Sequence, residues 1–332
     1  MTRPTKASLS RGPRVRRWAS PFAGAAALVA LFTFPDWSAS MEGSRYASTI
    51  LRDMLVFAVY ALSLDVLIGR AGMPSLGHAA FFGGGAYAAA IAAERLGTDE
   101  LAVTLGAAVV VAAALAIVIG ALTVRAAGIF FLMLTLAFAQ MVFAIAFQWT
   151  DLTGGSNGFA GVRRPVLLGL DLSPPDSIYR LVVVVFGIVA LVVWWIARSE
   201  YGRALVGVRE NERRMRALGY DTTRLKLSAF VLAGSLAGVA GALSAWSFRF
   251  VSPNDVGLGT SVTGFVMVLI GGAGTLLGPI LGAGLVLYIE RVLSSAIPYS
   301  QTVLGIVFIL FVLAARQGLV GVAVQVWTRV RR

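Results

Sequence analysis

The chain has 332 residues, of which 58% are hydrophobic and only 13% are charged, and its mean hydropathy is +0.82. Soluble domains carry about 25% charged residues, so the composition argues against a soluble protein and excludes a disordered chain, a collagen-like chain and a disulfide scaffold. With no cysteine and one histidine, His78, the chain has no thiolate chemistry and no multi-histidine site, and we expect no metal. The net charge of +12 fits either a nucleic-acid partner or the orientation of a membrane protein.

Apolar stretches suited to membrane-spanning helices recur along the whole chain. A helix that crosses the ~30 Å hydrocarbon core needs about 20 apolar residues. Such stretches, with few or no charged residues, cover residues 18–35, 54–68, 71–93, 101–124, 126–150, 181–197, 227–248, 256–289 and 292–315. They predict an all-α, polytopic transmembrane helical bundle.

The stretch 256–289 is too long for one helix, because it would extend about 51 Å at 1.5 Å per residue. Its middle reads Gly271-Gly272-Ala273-Gly274-Thr275 and then Gly278-Pro279, a cluster that breaks helices. We predict two short spans joined at this Gly-rich cluster, which gives about ten spans in all (8–10). A single span with a re-entrant segment is the alternative.

The placement of charge predicts the orientation of a single membrane domain over residues 1–332. With ten spans, the cytoplasmic parts are residues 1–17, the turns at Arg70 and Arg125, the segment 198–226 and the tail 316–332. These parts hold 20 of the 28 Lys and Arg residues but four of the 16 acids, so both termini are predicted to be cytoplasmic. The basic N-terminus also resembles a signal peptide, but the charge pattern favours an uncleaved first span. The basicity is thus assigned to topology, and we expect no nucleic-acid partner.

A phosphate-binding loop is missing from the sequence. The pattern G-x-x-x-x-G-K-[ST] needs a lysine after a glycine, and neither Lys6 nor Lys226 follows one. We therefore expect no enzyme activity and no bound cofactor in this chain. If transport uses ATP, another subunit must hydrolyse it.

The segment 198–226 is the densest charged stretch of the chain. It predicts a helix from about Arg203 to Leu218, ended by Gly219 as the C′ glycine, with Asp221 as the cap of the next helix. A short charged helix between two spans is either a lever that a cytosolic partner moves or a solvated loop helix that only sets topology.

Glycines and isolated polar residues mark a second segment, 72–90. Pro74 and the glycines at 83–85 predict a broken helix that exposes backbone groups to a substrate, or glycines that let helices pack closely. His78 is a functional candidate or a packing residue that hydrogen-bonds a neighbouring helix. We expect Asp65 to pair with Arg70, with a proton path as the alternative, and we place the two other acids near span ends, Asp53 and Glu290.

Residues 151–177 form a predicted outer insertion that is rich in Gly, Pro and Ser. Its first part, 152–165, suits a loop that lines a mouth or meets a partner, and an ordinary surface loop fits the composition equally well.

Together these segments resemble the LivM-type permease subunit of ATP-binding-cassette importers for branched-chain amino acids. The matching stretches are 61–78 with Ser75-Leu76-Gly77-His78-Ala79, 125–140 with Leu134-Thr135-Leu136-Ala137, 152–165, 198–219, 269–282 and 316–321. They cover most of the chain in the expected order. Two departures stand out: Asp65 occupies a position where the family commonly has Asn, and Arg213 and Arg214 replace residues that are usually small.

The resemblance implies three sets of site residues. The candidate substrate-path residues are Ser75, His78, Gly83, Gly84, Gly85, Thr135 and Gln140. The candidate residues for coupling to an ATPase are Arg203, Arg209, Glu210, Asn211, Glu212, Ala217 and Gly219. The candidate outer-loop residues are Gly154, Gly155, Ser156 and Asn157.

The resemblance also implies a function and a set of partners. We expect a permease in the bacterial inner membrane that translocates branched-chain amino acids by alternating access. It would work with a homologous second permease, two cytosolic ATP-binding subunits that use ATP, and an extracytoplasmic binding protein. A same-family permease for urea or short amides is one alternative, and an ion-coupled secondary transporter is an alternative from another class. The small number of intramembrane acids disfavours a lipid enzyme.

Overall fold

The computed structural model describes residues 21–38 and 44–296, together with positions 302, 305, 306, 318, 319 and 321. The helices in this part of the chain are α1 Pro21–Phe32, α2 Phe34–Ser38, α3 Ser44–Asp65, α4 Ala79–Arg95, α5 Leu101–Thr123, α6 Ile129–Gln148, α7 Thr150–Thr153, α8 Pro175–Arg198, α9 Glu200–Ala217, α10 Thr222–Phe248, α11 Leu258–Gly271 and α12 Leu277–Ala296. A π-helical segment, Val66–Ala71, continues α3.

Four two-residue strands are the only sheet within the described residues. They are β1 Phe159–Ala160, β2 Val166–Leu167, β3 Leu170–Asp171 and β4 Phe250–Val251. β1 pairs antiparallel with β4, with Phe159 opposite Val251, and β2 pairs antiparallel with β3. The predicted all-α class is therefore confirmed.

Five helical segments in the described part are long and apolar enough to cross a membrane. They are Arg45–Ala71, Leu101–Thr123, Ile129–Gln148, Pro175–Arg198 and Thr222–Phe248, and Leu258–Gly271 is a shorter apolar helix. Each of the five overlaps a predicted span. The predicted N-terminal segment 1–17 and most of the last predicted span and tail, 292–315 and 316–332, lie outside the described residues.

Small residues bring α4, α5 and α10 into backbone contact. Gly85 of α4 lies against Gly238 of α10, and a Cβ atom at Gly241 would overlap the carbonyl oxygen of Phe82. On α5 the fully buried alanines recur every four residues, at Ala108, Ala112 and Ala116, so they form a stripe on one face. Without a hydrophobic force between helices in lipid, such close approach supplies the packing contacts that hold spans together.

Large apolar side chains cover the outer faces of α5 and of the central part of α8. The exposed large side chains are Val103, Val110, Val111, Ile117, Val118 and Leu122 on α5, and Val184, Ile188, Leu191 and Trp195 on α8. Exposed surface of this composition suits hydrocarbon rather than water.

The predicted span 71–93 is interrupted, as its glycines and proline suggested. The π segment ends at Gly72, which has a φ of +69°, and α4 starts only at Ala79. Residues 72–78 run back along α3, because the His78 ring lies 5.5 Å from the Tyr60 ring. The N-terminus of α4 is therefore level with Tyr60 and Ser63, in the C-terminal third of α3.

The stretch 256–289 is not one continuous helix: it forms two helices that meet at the predicted glycine cluster. α11 ends at Gly271 and α12 begins at Leu277, and the turn between them (the Gly-rich joint, residues 272–276) contains two glycines with positive φ, Gly272 at +108° and Gly274 at +82°. Side chains other than glycine rarely adopt these conformations. The two helices pack closely, since a Cβ atom at Gly282 would overlap the carbonyl oxygen of Met267.

Candidate coupling site and substrate path

Helix α9 is bounded by the capping signals that its sequence contains. Its C-terminal end follows the prediction: Gly219 has a φ of +90°, and the N–H groups of Gly219 and Tyr220 donate to the carbonyls of Arg216 and Met215, which is a Schellman motif. Asp221 accepts a hydrogen bond from the Arg224 N–H at 3.0 Å and so caps α10, as predicted. The N-terminal end was predicted wrongly, because Ser199 caps the Gly202 N–H and starts the helix at Glu200, before Arg203.

Asn211 divides α9 into two parts, which the sequence did not predict. Its backbone is extended, at φ −159° and ψ 92°. Its side-chain oxygen accepts a hydrogen bond from the Arg214 N–H at 2.9 Å, so it acts as the N-cap of the second part. The two parts fold on each other, with Met215 packed over Gly207.

Glu212 ties the second part of α9 to α10. It accepts hydrogen bonds from Lys226 and Arg216, both at 2.6 Å, and from Thr222 at 3.1 Å. Burial raises the pKa of Glu212, but the hydrogen bond and charge of Lys226, with the hydrogen bonds from Arg216 and Thr222, outweigh this effect and hold the pKa below its ordinary value. This predicted coupling residue therefore holds the segment in place.

Arg209 ties the first part of α9 to the end of α3. Its Nη1 donates to the carbonyl oxygen of Gly69, in the π segment, and its side chain packs against Gly72. A cavity of about 200 Å³ lies beside it, between residues 71–74, the start of α6 and α9. Among the predicted coupling residues, Arg209 and Glu212 thus bind α3 and α10 through their side chains.

The remaining coupling candidates lie on the surface of α9. Arg203 donates to the carbonyl oxygen of Arg198 and lies 3.6 Å from Glu200. Glu210, Ala217 and Gly219 are exposed. These positions are free to meet another subunit.

Asp65 connects α3 to the Gly-rich joint, and it does not make the expected pair with Arg70 by direct contact. Its Oδ1 accepts a hydrogen bond from the Gly274 N–H at 2.7 Å, and no ion pair joins Asp65 to Arg70 within the described residues. Both side chains are buried, and Asp65 Oδ2 and Arg70 Nε have no hydrogen-bond partner in the described part of the chain.

These contacts form one connected cluster, which we call the α9 anchor: Asp65, Gly69, Arg209 and Gly274. Arg209 joins α9 to Gly69, and Asp65 joins the same end of α3 to the Gly-rich joint. Gly318, although distant in sequence, also lies against Gly272. Sequence reasoning missed the anchor, since a carboxylate bonded to a backbone N–H more than 200 positions away leaves no local signal.

Two of the path candidates, Ser75 and His78, lie buried on the interrupted segment before α4. Ser75 accepts a hydrogen bond from the Gly77 N–H at 3.2 Å. His78 Nε2 lies 2.8 Å from Ser63 Oγ of α3, and its Nδ1 has no partner in the described part. Both residues have no solvent exposure.

Thr135 belongs to the same region, because Gly77 lies directly against its carbonyl oxygen. The start of α4 is also held by α11: the Ala79 N–H donates to Ser261 Oγ at 3.1 Å. Residues 75–79 are therefore enclosed by α3, α6 and α11.

The three glycines of α4 face three different neighbours. Gly83 lies against Val256, Gly84 against Leu115 of α5, and Gly85 against Gly238 of α10. Gln140 is separate from all of them, on the exposed face of α6. The structure thus brings together Ser75, His78 and Thr135, and it does not bring Gln140 to them.

The outer-loop candidates form a tight turn after α7. Gly154 and Gly155 have φ values of +78° and +60°. Gly155 is buried and donates its N–H to Thr153 Oγ1, whereas Ser156 and Asn157 are exposed. The pairing of β1 with β4 then fixes this loop to the chain that follows α10.

Asp53 is buried rather than placed to reach the membrane interface. It pairs with Arg52 at 3.0 Å and with Arg291 of α12 at 2.5 Å. The carboxylate therefore joins α3 to α12 by a paired charge, which is the arrangement that a buried acid requires.

Apolar helices in close backbone contact, with a charged helix tied to them, define a multi-pass membrane protein. A sequence profile of the family described as "Branched-chain amino acid transport system / permease component" matches residues 46–313. The high-affinity branched-chain amino acid transport system permease protein LivM of Salmonella typhimurium (strain LT2) is 30% identical over 299 residues, 83% of this chain and 70% of LivM. LivM of Escherichia coli (strain K12) is 30% identical over 288 residues, 80% of this chain and 68% of LivM.

A shorter similarity links the chain to another permease. The autoinducer 2 import system permease protein LsrC of Escherichia coli (strain K12 / DH10B) is 30% identical over 138 residues, 40% of this chain and 38% of LsrC. No solved structure matches the chain. The chain belongs to the family of branched-chain amino acid transport permease components, and it is a LivM-type transport subunit rather than an enzyme.

Proposed function

We propose that the protein is the permease subunit of an ATP-binding-cassette importer that moves branched-chain amino acids across the bacterial inner membrane by alternating access. The observation that carries the proposal is the α9 anchor, which connects a surface helix to two spans, in a chain similar to LivM over 83% of its length. ATP binding in partner subunits moves α9, and the anchor passes the movement to α3 and the Gly-rich joint.

The proposed topology has ten spans with both termini in the cytoplasm. Five described helical segments already have the required length and apolarity. The excess of basic residues in the assigned cytoplasmic segments supports the orientation. In this orientation α9 faces the cytosol and the turn at Gly154 and Gly155 faces the outside.

The proposed partners are a homologous second permease, two cytosolic ATP-binding subunits and an extracytoplasmic binding protein. The exposed residues of α9, among them Glu210 and Arg213, are the proposed contacts with an ATP-binding subunit. This chain binds no cofactor of its own, and ATP is used by the partners.

The proposed path passes the enclosed residues 75–79. There the interruption before α4 leaves backbone groups and buried polar side chains inside the bundle, as in transporters that bind substrates at broken helices. The Nδ1 of His78, which has no hydrogen-bond partner among the described residues, supports this assignment. His78→Ala should reduce uptake more than Ser63→Ala, because the serine variant removes only the partner of His78 Nε2. If both variants lower stability but transport as well as the wild-type protein, His78 is a packing residue.

Charge reversal on the free face of α9 tests the coupling assignment. The variants Glu210→Lys and Arg213→Glu leave the anchor and the Glu212 contacts in place, so the chain should insert and fold normally. We expect at least a tenfold loss of ATP-driven leucine uptake in vesicles that contain the full importer. Arg125→Glu is the matched control, because Arg125 is another exposed arginine between spans. Full uptake by the two α9 variants would refute the coupling assignment.

A competition assay tests the substrate. Excess unlabelled leucine, isoleucine or valine should suppress uptake of radiolabelled leucine, and urea should not. The part-length similarity to LsrC favours a second candidate, a small polar solute that is not an amino acid. ATP-dependent uptake that none of the three amino acids inhibits would support that candidate. Uptake without any ATP-binding subunit would instead indicate an ion-coupled transporter.

A further inference from the structure

An open apolar groove of about 580 Å³ lies between α1 and α8, on the outside of the bundle. Its walls come from one face of each helix, with Gly24, Leu28 and Phe32 on α1 opposite Val183, Gly187 and Trp194 on α8. The groove is open along its side, so a molecule in the membrane can enter it laterally.

The two helices run antiparallel, which fixes the ends of the groove. At one end of the groove the Arg180 guanidinium lies 5.6 Å from the centroid of the Phe32 ring. Further along the groove, the Leu28 side chain lies against Gly187. From Val183 to Trp194 the helix rises about 17 Å at 1.5 Å per residue. This length matches one leaflet, about half of the ~30 Å hydrocarbon core.

The α9 end of the groove carries positive charge. The guanidinium of Arg198 lies 4.0 Å from the centroid of the Trp194 ring, which itself lines the groove. Arg203 also donates to the carbonyl oxygen of Arg198, but its own charge is paired with Glu200 at 3.6 Å. No acidic side chain in the described part of the chain lies within salt-bridge distance of Arg198, and Arg198 is exposed.

We infer that the groove binds one anionic phospholipid, with an acyl chain between α1 and α8 and the phosphate at Arg198. The groove matches such a lipid in two ways. Its apolar walls are about as long as one leaflet is thick, and the cation Arg198, which has no acidic partner in the described part of the chain, lies at the end where a headgroup of that leaflet would lie. Tryptophan beside arginine at the membrane surface is the usual setting for headgroup contact. The cytoplasmic placement of this leaflet rests on the proposed topology.

The bound lipid would contact the coupling region as well. Leu276, in the Gly-rich joint, lines the groove, and Arg198 is separated from α9 by Ser199 alone. An acyl chain in this position fills the space beside the Gly-rich joint, which in the proposed function moves together with α9. The lipid is thus a structural partner of the coupling region.

The groove can be filled without displacing other atoms. A Cβ atom at Gly24 would have no other atom within 4 Å, so Gly24→Leu should occupy the groove and strengthen α1. Ala25→Leu, at another exposed groove position, is a second variant in case the first folds poorly. Gly106→Leu is the matched control, because Gly106 of α5 also has open space around it.

Native mass spectrometry of the purified full chain, with equal amounts of phosphatidylglycerol and phosphatidylcholine, tests the inference. The wild-type chain should retain one phosphatidylglycerol in preference to phosphatidylcholine. Gly24→Leu and Ala25→Leu should lower retention of both lipids at least fivefold, and Gly106→Leu should not. Arg198→Gln should lower the preference for the anionic lipid about fivefold, the factor that one basic residue near an anionic surface supplies. Arg125→Gln should leave it unchanged.

Three outcomes would overturn the inference. The first is retention of phosphatidylglycerol by both groove-filling variants. The second is displacement of the bound species by inorganic phosphate, which would make Arg198 a free-anion site. The third is a wild-type dimer that excludes lipid and dissociates in Gly24→Leu, which would make the groove a contact between copies. Because no transport is measured, these outcomes leave the proposed import function to its own tests.

Discussion

Asp65 shows at the scale of one residue how a buried carboxylate joins two elements. One of its oxygens accepts the Gly274 N–H, and the other has no partner among the described residues. The hydrogen bond needs only an acceptor oxygen, which an asparagine amide also offers. This explains physically how the chain can carry Asp where the LivM-type pattern commonly has Asn.

Asp65→Asn should therefore preserve the α9 anchor, whereas Asp65→Leu should break it. The leucine variant leaves the Gly274 N–H buried without a partner, which costs about 1–3 kcal/mol. Thermal unfolding in detergent should show a clear loss for Asp65→Leu and little change for Asp65→Asn. Equal losses in the two variants would mean that the charge, and not the acceptor oxygen, holds the joint.

Gly241 of α10 is a position where the backbones of two helices lie too close to admit a side chain. Any Cβ atom there overlaps the carbonyl oxygen of Phe82. We expect Gly241→Ala to destabilise the protein by about 1–3 kcal/mol, the range for overpacked sites, as measured by thermal unfolding. Gly284→Ala is the control: Gly284 of α12 has open space, so the same substitution should be neutral or stabilising.

At the scale of an element, some features of α9 can be predicted from its sequence and others cannot. Gly219 and Asp221 predicted the C-terminal end and the next cap correctly, because capping depends on local residues. The break at Asn211 escaped prediction, since Asn is tolerated inside a helix and the packing of Met215 on Gly207 is set by the folded chain. The C-terminal end was therefore predictable, whereas the N-terminal end, which Ser199 caps, was predicted three residues too late.

The attachment of α9 to α10 should depend on pH through Glu212. A carboxyl group with a lowered folded-state pKa adds stability that is complete above its unfolded-state pKa and is lost as the pH falls through the folded-state pKa. The hydrogen-exchange protection of α9 should therefore be constant above about pH 4.5, the ordinary value, and fall below it. Glu212→Gln should have lower protection at neutral pH and a smaller decline; an identical pH profile in the variant would refute this role.

For the whole molecule, the absence of cysteine gives a direct test of topology. Ser156→Cys and Ala217→Cys introduce single thiols at exposed positions of the outer loop and of α9. In intact cells a membrane-impermeant maleimide should label Ser156→Cys and should label Ala217→Cys only after permeabilisation. Labelling of both variants in intact cells would contradict the orientation, and cysteine-free wild-type protein gives the background.

The sequence predicts the apolar elements of the fold better than it predicts their contacts. Hydropathy located the five apolar segments, and the glycine cluster located the joint between α11 and α12. The pairing of Asp53 with Arg291 and the backbone partners of Asp65 and Arg209 could not be predicted, because each lies on an element distant in sequence. Gln140 illustrates the same limit: its motif placed it with Thr135, but the turn of α6 puts it on the other, exposed face.

The glycine contacts among α4, α5 and α10 have a mechanical consequence. Where backbone meets backbone, neither helix can slide without a collision, so these three helices should move as one rigid body. The α9 anchor, by contrast, consists of a few hydrogen bonds to glycine backbone groups, so its geometry can change without a collision between two backbones. We expect the protein to deform at the π segment and the Gly-rich joint while the glycine-packed helices keep their shape.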